Sequence, residues 1–279
     1  MNIIIFGSNG MLGNYIKSFL KEYNIISLTR KEYDIMELNT LSLEKLLNNY
    51  NINKNTIIIN CAGVIPQRNN NTNNTNNKKY ILVNTLFPIL LSNICKTYNS
   101  KFIHITTDCV FSGIKGLYKE KDEKDENNIY GITKNLGELC DGTIIRTSII
   151  GEEINNKKSL LEWVIKQKGK IINGYNNHYW NGITCLELSK IIKKIIKTNN
   201  FWKGIRHIYS PNITSKYELV SIINEIYKLN ITINKYNTEK TINKTLSTIY
   251  NTNQTFNIPN LKIQIQELYK YNIAEIQII

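Results

Sequence analysis

The stretch NIIIFGSNGMLG, residues 2–13, constrains the fold more than any other part of the chain. A short apolar run closes on Gly7, Gly10 and Gly13 and passes straight into a segment with helical spacing. Such a run suits a buried parallel strand, and Leu12, Ile16, Phe19 and Leu20 give the next segment one apolar face. Glycine here permits a tight turn, close approach of backbone to a phosphate, and close helix–strand contact. The helix N-terminus beyond it offers unpaired N–H groups and a positive dipole end to a diphosphate. Glycines end many strands, so the spacing alone is weak. Its position between a first strand and an amphipathic helix predicts a dinucleotide site.

The alternation continues. NIISLT, TIIINCAG, KFIHITT and GTIIRTSIIG read as strands; LSLEKLLNNY, ILVNTLFPILLSNICKTY (with Pro88) and YGITKNLGELC read as helices. Strands alternating with helices of this length predict an α/β, doubly wound parallel sheet of Rossmann type. Residues 1–150 form the expected NADP-binding domain. Residues 151–279 carry KSLLEWVIKQ, CLELSKIIKKIIK and KYELVSIINEIYKL as helices between turns and short strands. They are expected to form a smaller C-terminal α/β substrate lobe, interleaved with the sheet domain. RNNNTNNTNNKK, residues 68–79, is low-complexity and reads as a mobile surface loop.

Composition narrows the class. Of 279 residues 42% are hydrophobic and 20% charged, values of a globular chain long enough for a sizeable core. No run approaches the roughly 18 consecutive apolar residues of a membrane span. No export signal opens the sequence. Five cysteines without framework spacing predict reduced thiols in a cytoplasmic protein, which leaves the sequons at Asn70 and Asn73 idle. No His/Cys/Asp cluster has metal spacing, so no metal is expected. The net charge of +13 invites a nucleic-acid reading. However, Lys, Asn and Ile are inflated together and the cations are scattered, so the charge speaks to composition rather than to a nucleic-acid partner.

After the second strand, SLTRKEYD puts Arg30 and Lys31 where an NAD-preferring fold carries an acid for the ribose 2′-hydroxyl. Two cations there suit a 2′-phosphate, hence NADP; a solvated cation pair is the plainer alternative. YGITK places Tyr130 and Lys134 four apart, on one helix face. An ammonium beside a phenol favours the phenolate and makes the tyrosine a usable acid/base for a carbonyl/alcohol pair. The pair is common by chance in a chain rich in Tyr and Lys. Its place one strand–helix step after HITTDCVFSG gives it weight. Cys61 and His104 fall inside strands and read as core residues.

Taken together, GSNGMLG, INCAGVIPQ, HITTDCVFSG, YGITKNLGE, IIRTSIIG, SLLEWVIKQ, NGITCLEL and SPNITSKYEL resemble the extended short-chain dehydrogenases/reductases. They are most similar to the dTDP-4-dehydrorhamnose reductase family. The likeness runs in order from residue 1 to about 225 and is loose over the last fifty residues. Several stretches resemble the branch acting on UDP-linked 2-acetamido-2,6-dideoxy-4-hexuloses.

The resemblance implies roles. Thr107 would hydrogen-bond the substrate carbonyl, Tyr130 protonate the oxygen at sugar carbon 4, and Lys134 hold the nicotinamide ribose. Gly7, Gly10 and Gly13, with Asn9, Met11 and Leu12, would cradle the pyrophosphate. Arg30 would meet the ribose phosphate, Asp34 and Ile35 the adenine. Cys61, Ala62 and Gly63 would lie along the cofactor. Asp108, Trp180 and Asn181 would join Thr107 around the substrate. These imply NADPH as cofactor and a nucleotide sugar as substrate; the oligomeric state stays open, with a homodimer as one option.

Cys109 departs from the rhamnose reductases, which commonly carry tyrosine there. In the related GDP-fucose synthases a cysteine at this offset is the epimerisation acid/base, so Cys109 is either that or a small buried hydrophobe. The expected activity is reduction of the 4-keto group of a nucleotide-linked 6-deoxy sugar, with or without carbon-3 epimerisation. The alternatives are dTDP-4-dehydrorhamnose reductase itself, or a non-catalytic NADP-binding regulatory subunit. Retention of Thr107, Tyr130 and Lys134 speaks against the last.

Overall fold

A computed structural model of the chain describes residues 1–66, 74–155 and 157–276. The strands of the first half are β1 (Asn2–Phe6), β2 (Asn24–Leu28), β3 (Ile57–Asn60), β4 (Lys101–Thr107) and β5 (Thr143–Thr147). Beyond them come β6 (Ile149–Ile150), β7 (Ile171–Tyr175), β8 (His178–Trp180) and β9 (Ile183–Thr184). The last four are β10 (Gly204–His207), β11 (Thr214–Ser215), β12 (Thr232–Tyr236) and β13 (Ile242–Asn243). The main sheet is six-stranded and parallel, in the order β10-β5-β4-β3-β1-β2. Its edge strand β10 comes from the second half of the chain, so the lobe and the sheet domain share one sheet.

Helices α1 (Met11–Phe19), α2 (Thr40–Asn49), α3 (Asn74–Tyr80), α4 (Phe87–Thr97) and α5 (Ile129–Gly137) connect the first five strands. Alternation along each strand sends side chains to both faces. Ile3, Ile5, Ile59, Ile103 and Ile105 pack with Leu12 and Ile16 of α1. Ile4, Phe6, Ile58, Phe102 and Ile144 pack with Leu43, Leu47, Phe87, Leu91 and Ile94. In the second half lie α6 (Leu160–Ile165), α7 (Cys185–Lys197), α8 (Lys216–Tyr227), α9 (Thr252–Phe256) and α10 (Leu261–Ile276). Their apolar faces extend the first of those cores, with Ile191, Ile195, Leu219, Ile223, Ile265 and Leu268 fully enclosed. The small sheets β8/β11/β13 and β7/β12 complete the lobe.

One expectation needs correction. The Asn-rich segment is not a loop throughout: Asn74–Tyr80 is helical and runs into Ile81–Leu86 and α4, while residues 68–73 lie outside the described residues. The helical run Asn77–Thr97 is long and apolar enough to cross a membrane by composition, yet more than half of it is buried within the fold, the position of a core helix. Pro88 explains its middle. Proline offers no N–H to the carbonyl four residues back, that of Asn84. The chain widens over Ile81–Leu86 into a π-helical turn, with Phe87 N bonded to Leu82 O.

Candidate active site

The cofactor cradle lies at the sheet's switch point. β1 runs between β3 and β2, so the chain leaves it in opposite directions and opens a crevice at the carboxyl ends. Gly7 adopts φ +74°, and a Cβ there would stand 2.7 Å from Ala62 N. Gly7 N and Ser8 N donate to Leu28 O at 3.1 and 3.3 Å, tying the loop to β2. A Cβ on Gly13 would collide with the Gly7 carbonyl oxygen, so α1 departs directly under the loop. Gly10 caps α1 without a side-chain bond, and no acid stands in the first turn. The N–H groups of Met11, Leu12 and Gly13 therefore remain for an anion. Asn9 is exposed at the loop, whereas the Leu12 side chain is core and can offer only backbone.

At the end of β2 the acid Glu32 is already committed. Its Oε2 accepts from Thr29 N at 2.7 Å and Thr29 Oγ1 at 2.6 Å, bonds that hold its carboxyl below the ordinary range. Arg30 and Lys31 stay exposed, and among the described residues no carboxylate pairs with either. Asp34 is exposed and accepts from Met36 N at 2.9 Å, capping a short turn that holds half-buried Ile35. Loop and cations together fit a dinucleotide carrying a 2′-phosphate.

Past β3, Asn60 Oδ1 accepts from Ala62 N at 3.0 Å, and its Nδ2 faces His104 Nδ1 at 3.2 Å. Nδ1 of His104 is thus the acceptor and Nε2 carries the hydrogen, buried with no partner. Burial holds this imidazole neutral. The Cys61 thiol, half-buried directly after Asn60, is pushed up to about 12 by burial. A Cβ on Gly63 would stand 3.1 Å from Lys134 Nζ, so glycine there makes room for the ammonium.

Tyr130 and Lys134 ride on α5, whose N-cap Asn128 accepts from Gly131 N at 2.9 Å. Gly131 lets this end approach β4: a Cβ would lie 2.7 Å from Cys109 O. Gly137, at the other end, lies against the Asn84 carbonyl that Pro88 leaves free. The strand end, the helix and the loop after β3 therefore converge.

The expected electrostatics of this pair need revising. Burial, and then the charges that Cys109 and Asp108 would carry, push the Tyr130 phenol upward; the facing Thr107 hydroxyl opposes this but does not win. Tyr130 is held protonated, not poised as a phenolate. Desolvation instead acts on Lys134, pulling it down to about 8, while Glu138 one turn on favours its charge.

Thr107 Oγ1 accepts from Cys109 N at 3.1 Å and donates to Asp108 Oδ1 at 3.0 Å. Asp108 is buried, and burial raises its carboxyl against the pull of Lys216 and Lys244. Cys109 Sγ donates to Asp108 Oδ1 at 3.5 Å, and burial with that neighbour pushes the thiol to about 12. Behind them Thr106 Oγ1 donates to Glu138 Oε1 at 3.0 Å. Fully buried Arg146 grips both oxygens of Glu138 and donates to His207 Nε2 at 2.8 Å.

On the lobe side Trp180 is buried. The Asn181 carboxamide is spent on Leu246, donating to its O at 2.8 Å and accepting from its N at 2.9 Å. It shapes the cleft by fixing that segment rather than by offering a free amide. Sequence reasoning missed Asn84, Lys216, Lys244 and the Glu138–Arg146–His207 chain. The available signals lay inside stretches already singled out: Lys216 in SPNITSKYEL, Glu138 in YGITKNLGE and Arg146 in IIRTSIIG.

A glycine cradle at the switch point, with a tyrosine–lysine helix beside a threonine at the end of β4, defines a Rossmann-type dinucleotide-binding protein. Residues 1–246 match the RmlD substrate binding domain family, and the chain belongs to it. It is 28% identical over 257 residues to the spore coat polysaccharide biosynthesis protein SpsK of Bacillus subtilis, covering 87% of this chain and 85% of that one. The dTDP-4-dehydrorhamnose reductase of Aggregatibacter actinomycetemcomitans is 26% identical over 235 residues, covering 79% and 77%. Among solved structures, the dTDP-4-dehydrorhamnose reductase of Bacillus anthracis, in complex with NADP, superposes with a TM-score of 0.81 at 21% identity, covering 97% and 99%.

Proposed function

We propose that the protein is an NADPH-dependent reductase of the 4-keto group of a nucleotide-linked 6-deoxy sugar. The observation that carries this reading is Tyr130, held protonated by burial beside Thr107 and one turn from Lys134. The glycine loop and Arg30 would hold NADPH, which would supply the hydride. Thr107 orients the carbonyl, and Tyr130 gives its phenolic proton to the oxygen at carbon 4. The Lys134 ammonium steadies the phenolate left behind, and Asn84 and Gly63 keep the space that ammonium needs. The relatives named as dTDP-4-dehydrorhamnose reductases support the reaction type.

The substrate within this class is proposed as UDP-2-acetamido-2,6-dideoxy-L-hexulose, on the resemblance of the motif stretches; the dTDP-linked sugar is its competitor. Loss of NADPH absorbance across a panel of 4-keto sugar nucleotides tests both. Cofactor binding without turnover on any of them would favour a regulatory subunit.

Proton exchange at carbon 3 is assigned to Cys109. Its thiol is protonated in the free protein, with Asp108 placed to take the proton and Lys244 on hand to favour a thiolate. Solvent deuterium should enter carbon 3 with the wild type and with Tyr130→Phe, but not with Cys109→Ser. No incorporation by the wild type rules the epimerisation out.

A further inference from the structure

Among the described residues, half-buried Lys216 forms no ion pair. It opens α8 directly after Ser215, and the acid nearest in sequence is spent on the cap. Glu218 Oε2 accepts from Ser215 N at 2.7 Å, while Glu218 N donates to Ser215 Oγ at 3.1 Å. The Lys216 ammonium lies over Trp180, 4.9 Å from the ring centre, and Trp180 is 4% exposed. Asp108 and Cys109 face it from the end of β4, and His178 feels its charge from β8. Among the described residues no carboxylate comes within ion-pair distance of it.

The neighbouring cation differs. Lys244 faces the same two residues but is paired with Glu126 at 2.9 Å. Asp108 faces Lys216 and its charge favours the ammonium, but the two make no ion pair, and Asp108 Oδ1 accepts instead from Thr107 and Cys109. Drawing an ammonium out of water is costly unless an anion meets it. An aromatic face recovers only part of that cost. A ligand anion can therefore make the direct pair that Asp108 does not.

We propose that Lys216, laid on the face of Trp180, receives the diphosphate of a nucleoside diphosphate sugar. The inference rests on the reductase reading: with the sugar ring at Tyr130 and Thr107, the diphosphate is the anionic part of such a substrate. The cofactor's own pyrophosphate has its place at the glycine loop on β1, so the two anions do not compete. A Lys216 contact made equally in ground and transition states raises affinity without changing the chemical step.

The test is calorimetric titration of UDP and dTDP, which carry the diphosphate without the sugar, into protein saturated with NADP. Lys216→Met keeps an apolar chain on Trp180 and should weaken both nucleotides about thirtyfold, the loss expected for a charged hydrogen bond. Lys216→Arg should stay within a few-fold of wild type, and NADPH affinity should not change in either. In turnover, KM should rise with kcat kept. Unchanged nucleotide affinity in Lys216→Met overturns the assignment, most plainly if Cys109 becomes less reactive toward a thiol reagent; the lysine then serves the thiol. A wild type that binds NADPH but neither nucleotide overturns the reductase reading itself.

Discussion

Asn84 grips the backbone of Val64 at both ends, its Oδ1 accepting from Val64 N at 2.9 Å and its Nδ2 donating to Val64 O at 3.0 Å. The clamp ties the helical run before α4 to the loop that follows β3. Ala62 and Gly63 in that loop abut the glycine cradle and the Lys134 ammonium. One carboxamide thus sets the distance between the cofactor crevice and the catalytic helix.

Asn84→Ala should leave both Val64 groups buried and unpaired. Two such losses cost about 2–4 kcal/mol, read as a lower urea midpoint with an unchanged slope. NADPH affinity should fall with it, because the loop that lines the crevice is no longer held. Full NADPH affinity in a destabilised Asn84→Ala protein would separate the clamp from the cofactor site.

Tyr130 is protonated throughout the neutral range, so the alkaline limb of reduction belongs to Lys134. The ammonium is pulled down to about 8, present below that pH and lost above it. The rate should hold at neutral pH and fall as pH rises through about 8. Lys134→Met should abolish this limb along with most of the activity. Tyr130→Phe should lower kcat by about 10²–10⁴-fold and leave NADPH affinity intact. A limb that persists in Lys134→Met assigns it to another group.

The first five strands were legible because each is an apolar run closed by a turn, and the glycine spacing, Tyr130 and Lys134 were legible because spacing is a local property. What was hidden is non-local. GIRH, residues 204–207, has no apolar run, since an edge strand buries only part of itself; it joins the sheet by pairing with β5. In α10 the apolar residues Leu261, Ile263 and Ile265 alternate as in a strand, yet the buried set is Leu261, Gln264, Ile265 and Leu268, a helical spacing. The shift of Tyr130 was misjudged for a related reason. Helical spacing fixes that Lys134 lies near, but only the packing of Cys109, Asp108 and Tyr80 around the phenol shows that desolvation outweighs a nearby cation. Lys216 reaches the site from 86 residues beyond Tyr130, inside the stretch SPNITSKYEL, whose pattern does not say which of its residues meets the other motifs.

Cofactor choice should turn on Arg30. Glu32 is folded onto Thr29, so it does not cancel the guanidinium. Arg30→Ala should weaken NADPH by about ten- to a hundredfold, the worth of a charged phosphate contact, and leave NADH unchanged. Arg30→Glu should reverse the preference by offering an acid to a free ribose. Equal losses for both cofactors would place the 2′-phosphate elsewhere.

His207 should set part of the acid sensitivity of the fold. Its Nε2 accepts from Arg146 at 2.8 Å and its Nδ1–H donates to Ser247 O at 2.6 Å, so the buried ring is neutral. Burial, then the guanidinium, lower its pKa from 6.5 to about 4. In that window the unfolded chain binds a proton that the folded one refuses. The stability this group contributes is therefore complete above about pH 6.5 and lost as the pH falls toward about 4. Gln at this position can accept and donate but cannot titrate. His207→Gln should be less stable than wild type at neutral pH, and its urea-unfolding free energy should fall less steeply between about pH 7 and pH 5. Parallel slopes for the two proteins would remove His207 as the titrating group. The chain from His207 through Arg146 to Glu138 would then be a purely packing feature of the β5–β10 edge.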